Sequence, residues 1–216
     1  LSDLSNRHIS DLIEARRGQG AGVPAINRTI SVLQGVHARA AGRWDATVKA
    51  IAWKDFKAKE QGRIRWITER EAGALLDALP SHIEALVRFL LLTGVRRREA
   101  FELTWDRVAF DRGAIWITAK GGVRREVALS ADAVLLLHEL PQTRRYVFDT
   151  TNWREHFEAA LKTAGISDFR WHDLRHTHAT WLRQKGVALE VVSQSLGHSG
   201  IAVTQKYAHV AQHEVR

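Results

Sequence analysis

The chain has 216 residues, 45% of them hydrophobic and 26% charged, which suits one or two soluble domains with a buried core. Its formal net charge of +8 favours a polyanionic partner, and its lack of cysteine excludes disulfides, thiolate zinc sites and a cysteine nucleophile. No apolar run approaches the ~20 residues that cross a bilayer, no signal-peptide pattern opens the chain, and the absence of any methionine suggests a trimmed piece lacking N-terminal sequence.

In chain order, a first helix is expected from Ser5 to Arg17, with Ile9, Leu12 and Ile13 on one face. The run Gly18-Gln19-Gly20-Ala21-Gly22 breaks it. Pro24 then opens a second helix, which carries Ile26, Ile30, Leu33, Val36 and His37 at helical spacing. Lys49 to Arg65 reads as a basic linker, either solvated or laid along phosphates. The chain divides near residue 62. Residues 1–62 hold 10 basic and 6 acidic side chains, against 22 and 18 in residues 63–216, so basic charge is denser in the first part.

The second part opens on two capping-box patterns, Thr68-Glu69-Arg70-Glu71 and Ser81-His82-Ile83-Glu84. The helices they start should run to about Leu79 and Thr93, with Gly94 ending the latter and a short helix over Arg98 to Leu103. Three short strands follow at Arg107 to Asp111, Ala114 to Ala119 and Arg125 to Leu129, joined by turns at Asp111-Arg112-Gly113 and Lys120-Gly121-Gly122. Helices then return at Ser130 to Leu140, Asn152 to Ala164, His172 to Lys185, Leu189 to Leu196 and Val203 to Gln212. The fold class is mainly α with one small three-stranded antiparallel β-sheet.

Several side chains in this frame carry chemistry. Arg96 follows Thr93-Gly94-Val95, where a helix end can turn a side chain into a cleft. In His172-Asp173-Leu174-Arg175 a histidine and an arginine share one helical face. A guanidinium fork can bind two phosphate oxygens, and an imidazole can move a proton near neutral pH. Lys120 stands at a hairpin tip, His198 follows the helix-stopping Gly197, and Tyr207 is one of two tyrosines. Each has a plain alternative: a surface basic cluster, a polar helix start, a solvated lysine, a packing tyrosine. His172, His176, His178 and His198 could be mistaken for a metal site. No glutamate lies between His172 and His176 as in H-E-x-x-H, however, and Arg175 would set a cation beside the metal.

Taken together, Arg96, Lys120, His172, Arg175, His198 and Tyr207 stand in this order within TGVRRREAFELTW, ITAKGGVRREVAL, WHDLRHTHATWL, LGHSG and TQKYAH. This set resembles the catalytic domain of the tyrosine recombinases, the phage integrase family, over residues 63–210. Residues 1–62 resemble more loosely the end of that family's helical core-binding domain. The resemblance implies the DNA breaking-rejoining catalytic fold and a transesterification. Tyr207 would attack the scissile phosphate to give a 3′-phosphotyrosyl bond and a free 5′-hydroxyl. Arg96 and Arg175 would hold the non-bridging oxygens, and their charge should ease ionisation of the phenol. His198 would add a hydrogen bond, His172 would accept the tyrosine proton, and Lys120 would protonate the leaving oxygen.

The same resemblance implies no metal, no ATP and no small-molecule cofactor. Its expected partner is double-stranded DNA carrying recombination sites, with a homo-tetramer on paired sites and a monomer in free solution. It places the protein in the cytoplasm at the nucleoid, with a prokaryotic or phage origin, and integration or excision of a mobile element as its task. Nine residues follow Tyr207, so the C-terminal segment that packs on a neighbouring subunit in the family is expected to be short. Two alternatives share the basic surface. A type IB topoisomerase-like enzyme would use the same phosphoryl chemistry on one duplex, and an inactive DNA-binding accessory protein would bind without forming an adduct. The DNA sequence recognised is not legible, because phosphate contacts carry no sequence information.

Overall fold

The computed structural model describes residues 2–60, 63–118, 122, 124–197, 200 and 203–208. It divides into two compact units, Leu1–Gly62 and Arg63–Arg216.

The first unit is a helical hairpin of α1 (Asn6–Gly18) and α2 (Val23–Arg43). Pro24 lies in the first turn of α2, where its missing N–H costs nothing. Ile9, Ile13, Ile26 and Ile30 form the core. The stretch expected to be a linker contributes to that core, because Ile51, Trp53 and Phe56 pack against it. His37 pairs with the Lys49 carbonyl at 3.0 Å and meets the Trp53 ring edge-on. The segment is basic at intervals, but its apolar residues fold back on the hairpin.

The second unit begins with α3 (Glu69–Asp77) and α4 (Ser81–Thr93). The Thr68 box forms: the Glu71 N–H donates to Thr68 Oγ1 at 3.2 Å, and the Thr68 N–H donates to Glu71 Oε2 at 2.8 Å. Thr68→Ala should therefore cost about 1 kcal/mol of stability, measurable by urea unfolding. The Ser81 box does not form. Pro80 is the N-cap and Ser81 already lies inside the helix, while Glu84 pairs with Arg88 one turn on. A serine displaced by one position cannot present its oxygen to the third amide.

After α5 (Arg97–Phe101) comes the sheet β1 (Val108–Ala109), β2 (Ala114–Thr118) and β3 (Arg124–Ala128), antiparallel and in sequence order. The expected first strand shrinks to two residues, because short 3₁₀ turns at Trp105–Arg107 and Phe110–Arg112 flank it. On β2, Ile115 and Ile117 are buried while Trp116 and Thr118 face out, which is the alternation of a half-covered strand. The tip bearing Lys120 lies outside the described residues.

Then follow α6 (Ala131–Glu139), α7 (Trp153–Thr163), α8 (Asp173–Gln184) and α9 (Leu189–Leu196). In place of the expected helix from Val203, the described residues form a 3₁₀ turn at Gln205–Tyr207. α4 is buried along most of its length, and α8 is buried from Asp173 to Thr180. These two pack together at the centre of the unit, so polar side chains on α8 sit inside the protein rather than on it. None of the described helices is long and apolar enough to cross a membrane.

Candidate active site

Two left-handed helix ends build the site. α4 ends at Gly94, whose φ of 61° only glycine adopts freely. Two residues later Arg96 caps α5, and its N–H donates to Glu99 Oε2 at 2.7 Å. α9 ends in the same way at Gly197, with φ 63°. The left-handed glycines bring the ends of α4 and α9 together around Arg175, which projects from the buried face of α8. Arg175 Nη1 donates to the Gly94 carbonyl and Nη2 to the Leu196 carbonyl, both at 2.7 Å.

Arg96, His172 and Arg175 line one cleft of about 380 Å³, together with Leu90, Val95, Trp171 and Leu174. The two arginines differ in exposure. Arg96 has 44% of its side chain exposed, while its Nη1 pairs with Glu99 Oε1 at 2.9 Å. Arg175 is 5% exposed. Burial first, then the charge of Arg96, lowers its pKa to about 10, with Glu99 opposing, so it stays a cation at neutral pH. His172 is held below the usual imidazole range by burial, Arg175 and Lys206, and is neutral there. Arg97 and Arg98 also line the cleft; Arg97 lies over the Trp153 ring at 4.8 Å, and Arg98 pairs with Glu102.

Tyr207 lies outside that lining and is 1% exposed. Its hydroxyl pairs with His176 Nδ1 at 2.5 Å, and Lys206 Nζ lies 5.1 Å from its ring centroid. Burial raises the phenol to about 12, against the smaller opposite pull of Arg175. The arginine effect expected from the sequence thus exists in direction, but desolvation outweighs it. His176 itself is lowered to about 3 by burial, Lys206, His172 and Arg175. The His172 and His176 rings meet edge-on at 5.0 Å, whereas His178 Nδ1 donates to the Leu91 carbonyl at 2.8 Å. His176 and His178 are thus committed to separate partners.

His198 lies outside the described residues, as Lys120 does. The structure adds three residues that sequence reasoning passed over as partners: His176, Glu99 and Arg125. Glu99 carried a usable signal, since a glutamate three residues into a helix reaches back to the cap.

Residues 65–214 match the profile of the phage integrase family. The chain is also 35% identical over 201 residues to the integrase of Salmonella phage P22, a match covering 80% of this chain and 51% of that protein. The chain belongs to the phage integrase family. The catalytic domain of bacteriophage HP1 integrase superposes with TM-score 0.60 at 31% identity, covering 71% of this chain and 92% of that one. The XerH site-specific recombinase bound to difH substrate superposes with TM-score 0.74 at 20% identity, covering 97% of this chain and 68% of that one. The latter match shows the shared tyrosine recombinase fold. The chain spans about half the length of the phage P22 integrase. Within this integrase-family chain, the matched segment takes in every residue of the cleft and Tyr207.

Proposed function

We propose that the chain is a site-specific DNA strand transferase that cuts and rejoins DNA through a 3′-phosphotyrosyl link, in the integration or excision of a mobile element. The observation that carries this reading is the meeting of Arg96, Arg175 and the neutral His172 in one cleft, with the buried Tyr207 hydroxyl on a second histidine, His176. Two guanidiniums match the charge that builds on a pentavalent phosphorane, with no change of their own protonation.

In this state the nucleophile is stowed. Its raised pKa keeps Tyr207 protonated, and His176, lowered to about 3, is too weak a base to take the proton. His176 therefore holds the phenol rather than activating it. Attack requires Tyr207 to leave its burial and enter the cleft. There His172, neutral and lining the cleft, accepts the phenolic proton as the Tyr207 oxygen bonds to phosphorus. The bond from phosphorus to the 5′-oxygen breaks, and that oxygen takes a proton from Lys120. His198 adds a hydrogen bond to the phosphate. The phosphotyrosyl ester conserves the bond, so a 5′-hydroxyl from another strand reseals the DNA in a new connection.

The helical hairpin of residues 1–62 is read as the end of a core-binding domain that grips the duplex, and a tetramer on paired sites as the working assembly. The protein works in the cytoplasm, at the nucleoid.

The test is covalent trapping on nicked duplexes drawn from the DNA flanking the protein's own gene. A slow band on a denaturing gel should form with the chain, carry the 3′ side of the break and vanish in Tyr207→Phe. DNA binding should survive that substitution, because one hydroxyl is lost and no cation. A protein that shifts the DNA yet gives no band would be a binding module instead.

A further inference from the structure

Three consecutive carbonyls at the end of α9 each accept from a different arginine. Arg125 Nη1 donates to Ser195 O at 3.2 Å, Arg175 Nη2 to Leu196 O at 2.7 Å and Arg96 Nη2 to Gly197 O at 3.4 Å. The last carbonyls of a helix have no partner within it and carry its negative end, so this end is a template that gathers guanidiniums. Arg96 and Arg175 belong to the cleft. Arg125 projects from β3, does not line the cleft, and keeps only 18% of its side chain exposed.

Arg125 has a second anchor. Its Nη2 lies 3.3 Å from Glu99 Oε2, and the other oxygen of that carboxylate lies 2.9 Å from Arg96 Nη1. The Glu99 side chain is 6% exposed. One buried carboxylate thus bridges two arginines, with Arg175 adding a third cation that feels them both. Gly197 lies flat on the Arg125 guanidinium: a Cβ there would come within 2.5 Å of Arg125 Cζ. Removing Arg125 would leave Glu99 Oε2 on the Arg96 N–H alone, so the whole charge of the carboxylate would fall on Arg96 and draw its guanidinium from the cleft. It would also leave Ser195 O without its donor.

We infer that Arg125 is a positioning residue for strand cleavage: by sharing Glu99 it fixes the direction in which Arg96 meets the scissile phosphate. This rests on the strand-transferase reading above. A surface arginine paired with a surface glutamate would do nothing of the kind, since such pairs are worth little. Here the glutamate is buried, the arginine is half-buried, and the second oxygen of the glutamate is committed to a cleft residue.

The experiment measures single-turnover cleavage of a nicked duplex at saturating protein, DNA affinity by gel shift and thermal melting. The proteins compared are the full chain, Arg125→Gln, Arg125→Lys, Glu99→Gln and the Glu99→Gln/Arg125→Gln pair. Arg125→Gln should cut more slowly by about 100-fold, the usual scale for a misplaced catalytic group, while DNA affinity changes little. Arg125→Lys, which keeps the charge on Glu99 but loses the fork, should fall between Arg125→Gln and the unaltered chain. The double variant should be no slower than the worse single by more than about threefold, because both substitutions cut one connection. Should Arg125→Gln fail to fold, the lysine variant carries the rate comparison. Cleavage by Arg125→Gln or Arg125→Lys at the unaltered rate, or losses that multiply in the pair, would overturn the inference. If the unaltered chain itself forms no adduct that depends on Tyr207, the strand-transferase reading fails and takes this one with it.

Discussion

Gly94→Ala should destabilise the second unit by about 3 kcal/mol, through backbone strain and overpacking acting together. The residue's φ of 61° places an added side chain in the left-handed region, which by itself costs about 1 kcal/mol. The new Cβ would then lie 2.4 Å from His178 Cδ2 and 2.9 Å from Leu196 Cδ2. Neither neighbour can yield cheaply. The imidazole is fixed by its bond to Leu91 O, and Leu196 is fully buried on α9. Gly186→Ala is the internal control. Its φ is 79° but nothing lies within 4 Å of the added Cβ, so only the backbone cost of about 1 kcal/mol remains. Urea unfolding of both variants separates the two contributions, and equal losses would show that the packing at Gly94 is not as tight as described. The Gly94 carbonyl also seats Arg175. The fraction of Gly94→Ala that remains folded should therefore form phosphotyrosyl adduct slowly, while folded Gly186→Ala cuts normally.

Gly94 and Gly197 were legible because a glycine at the end of an apolar helical run is a stop with a conformational cause. The order of the site residues was legible too, since it lies along the chain. What escaped were contacts made by side chains across long sequence distances. His176 sits on the same helical face as His172, so the sequence offered it only as a possible metal ligand. Its bond to Tyr207 spans 31 residues and depends on how the chain returns after α9. Arg125 reaches Ser195 across 70 residues, and nothing in the strand alternation of β3 singles it out. The two capping-box patterns show the opposite limit. Both have the right letters, but Pro80 takes the N-cap position in one of them, and the pattern alone does not weigh that.

The second unit should also be sensitive to mild acid, and His178 is one of two main causes. Its Nδ1–H donates to Leu91 O, so its lone pair is on Nε2, which is buried with no hydrogen-bond partner among the described residues. Protonation there would place a charge in the core beside Arg175. Burial accordingly lowers the imidazole from 6.5 to about 4, with the Leu91 bond opposing and Arg175 adding. Between those values the unfolded chain binds a proton that the folded chain refuses. Stability is then constant above pH 6.5 and falls as the pH drops towards 4. The loss from this one group approaches about 3 kcal/mol, at about 1.4 kcal/mol per pH unit. His176, lowered to about 3 by burial and by Lys206, His172 and Arg175, acts in the same direction and over the same range. Glu71 and Asp149, both held below their ordinary values by hydrogen bonds, begin to contribute only as the pH falls below about 4.5, the usual glutamate range. His178→Asn keeps a donor for Leu91 O and removes the titration. It should lower stability at pH 7, where a cavity replaces part of the ring, yet make the profile between pH 6.5 and 4 shallower, leaving the share of His176. Urea midpoints at half-unit steps would show this, and parallel profiles for the two proteins would place the acid sensitivity elsewhere.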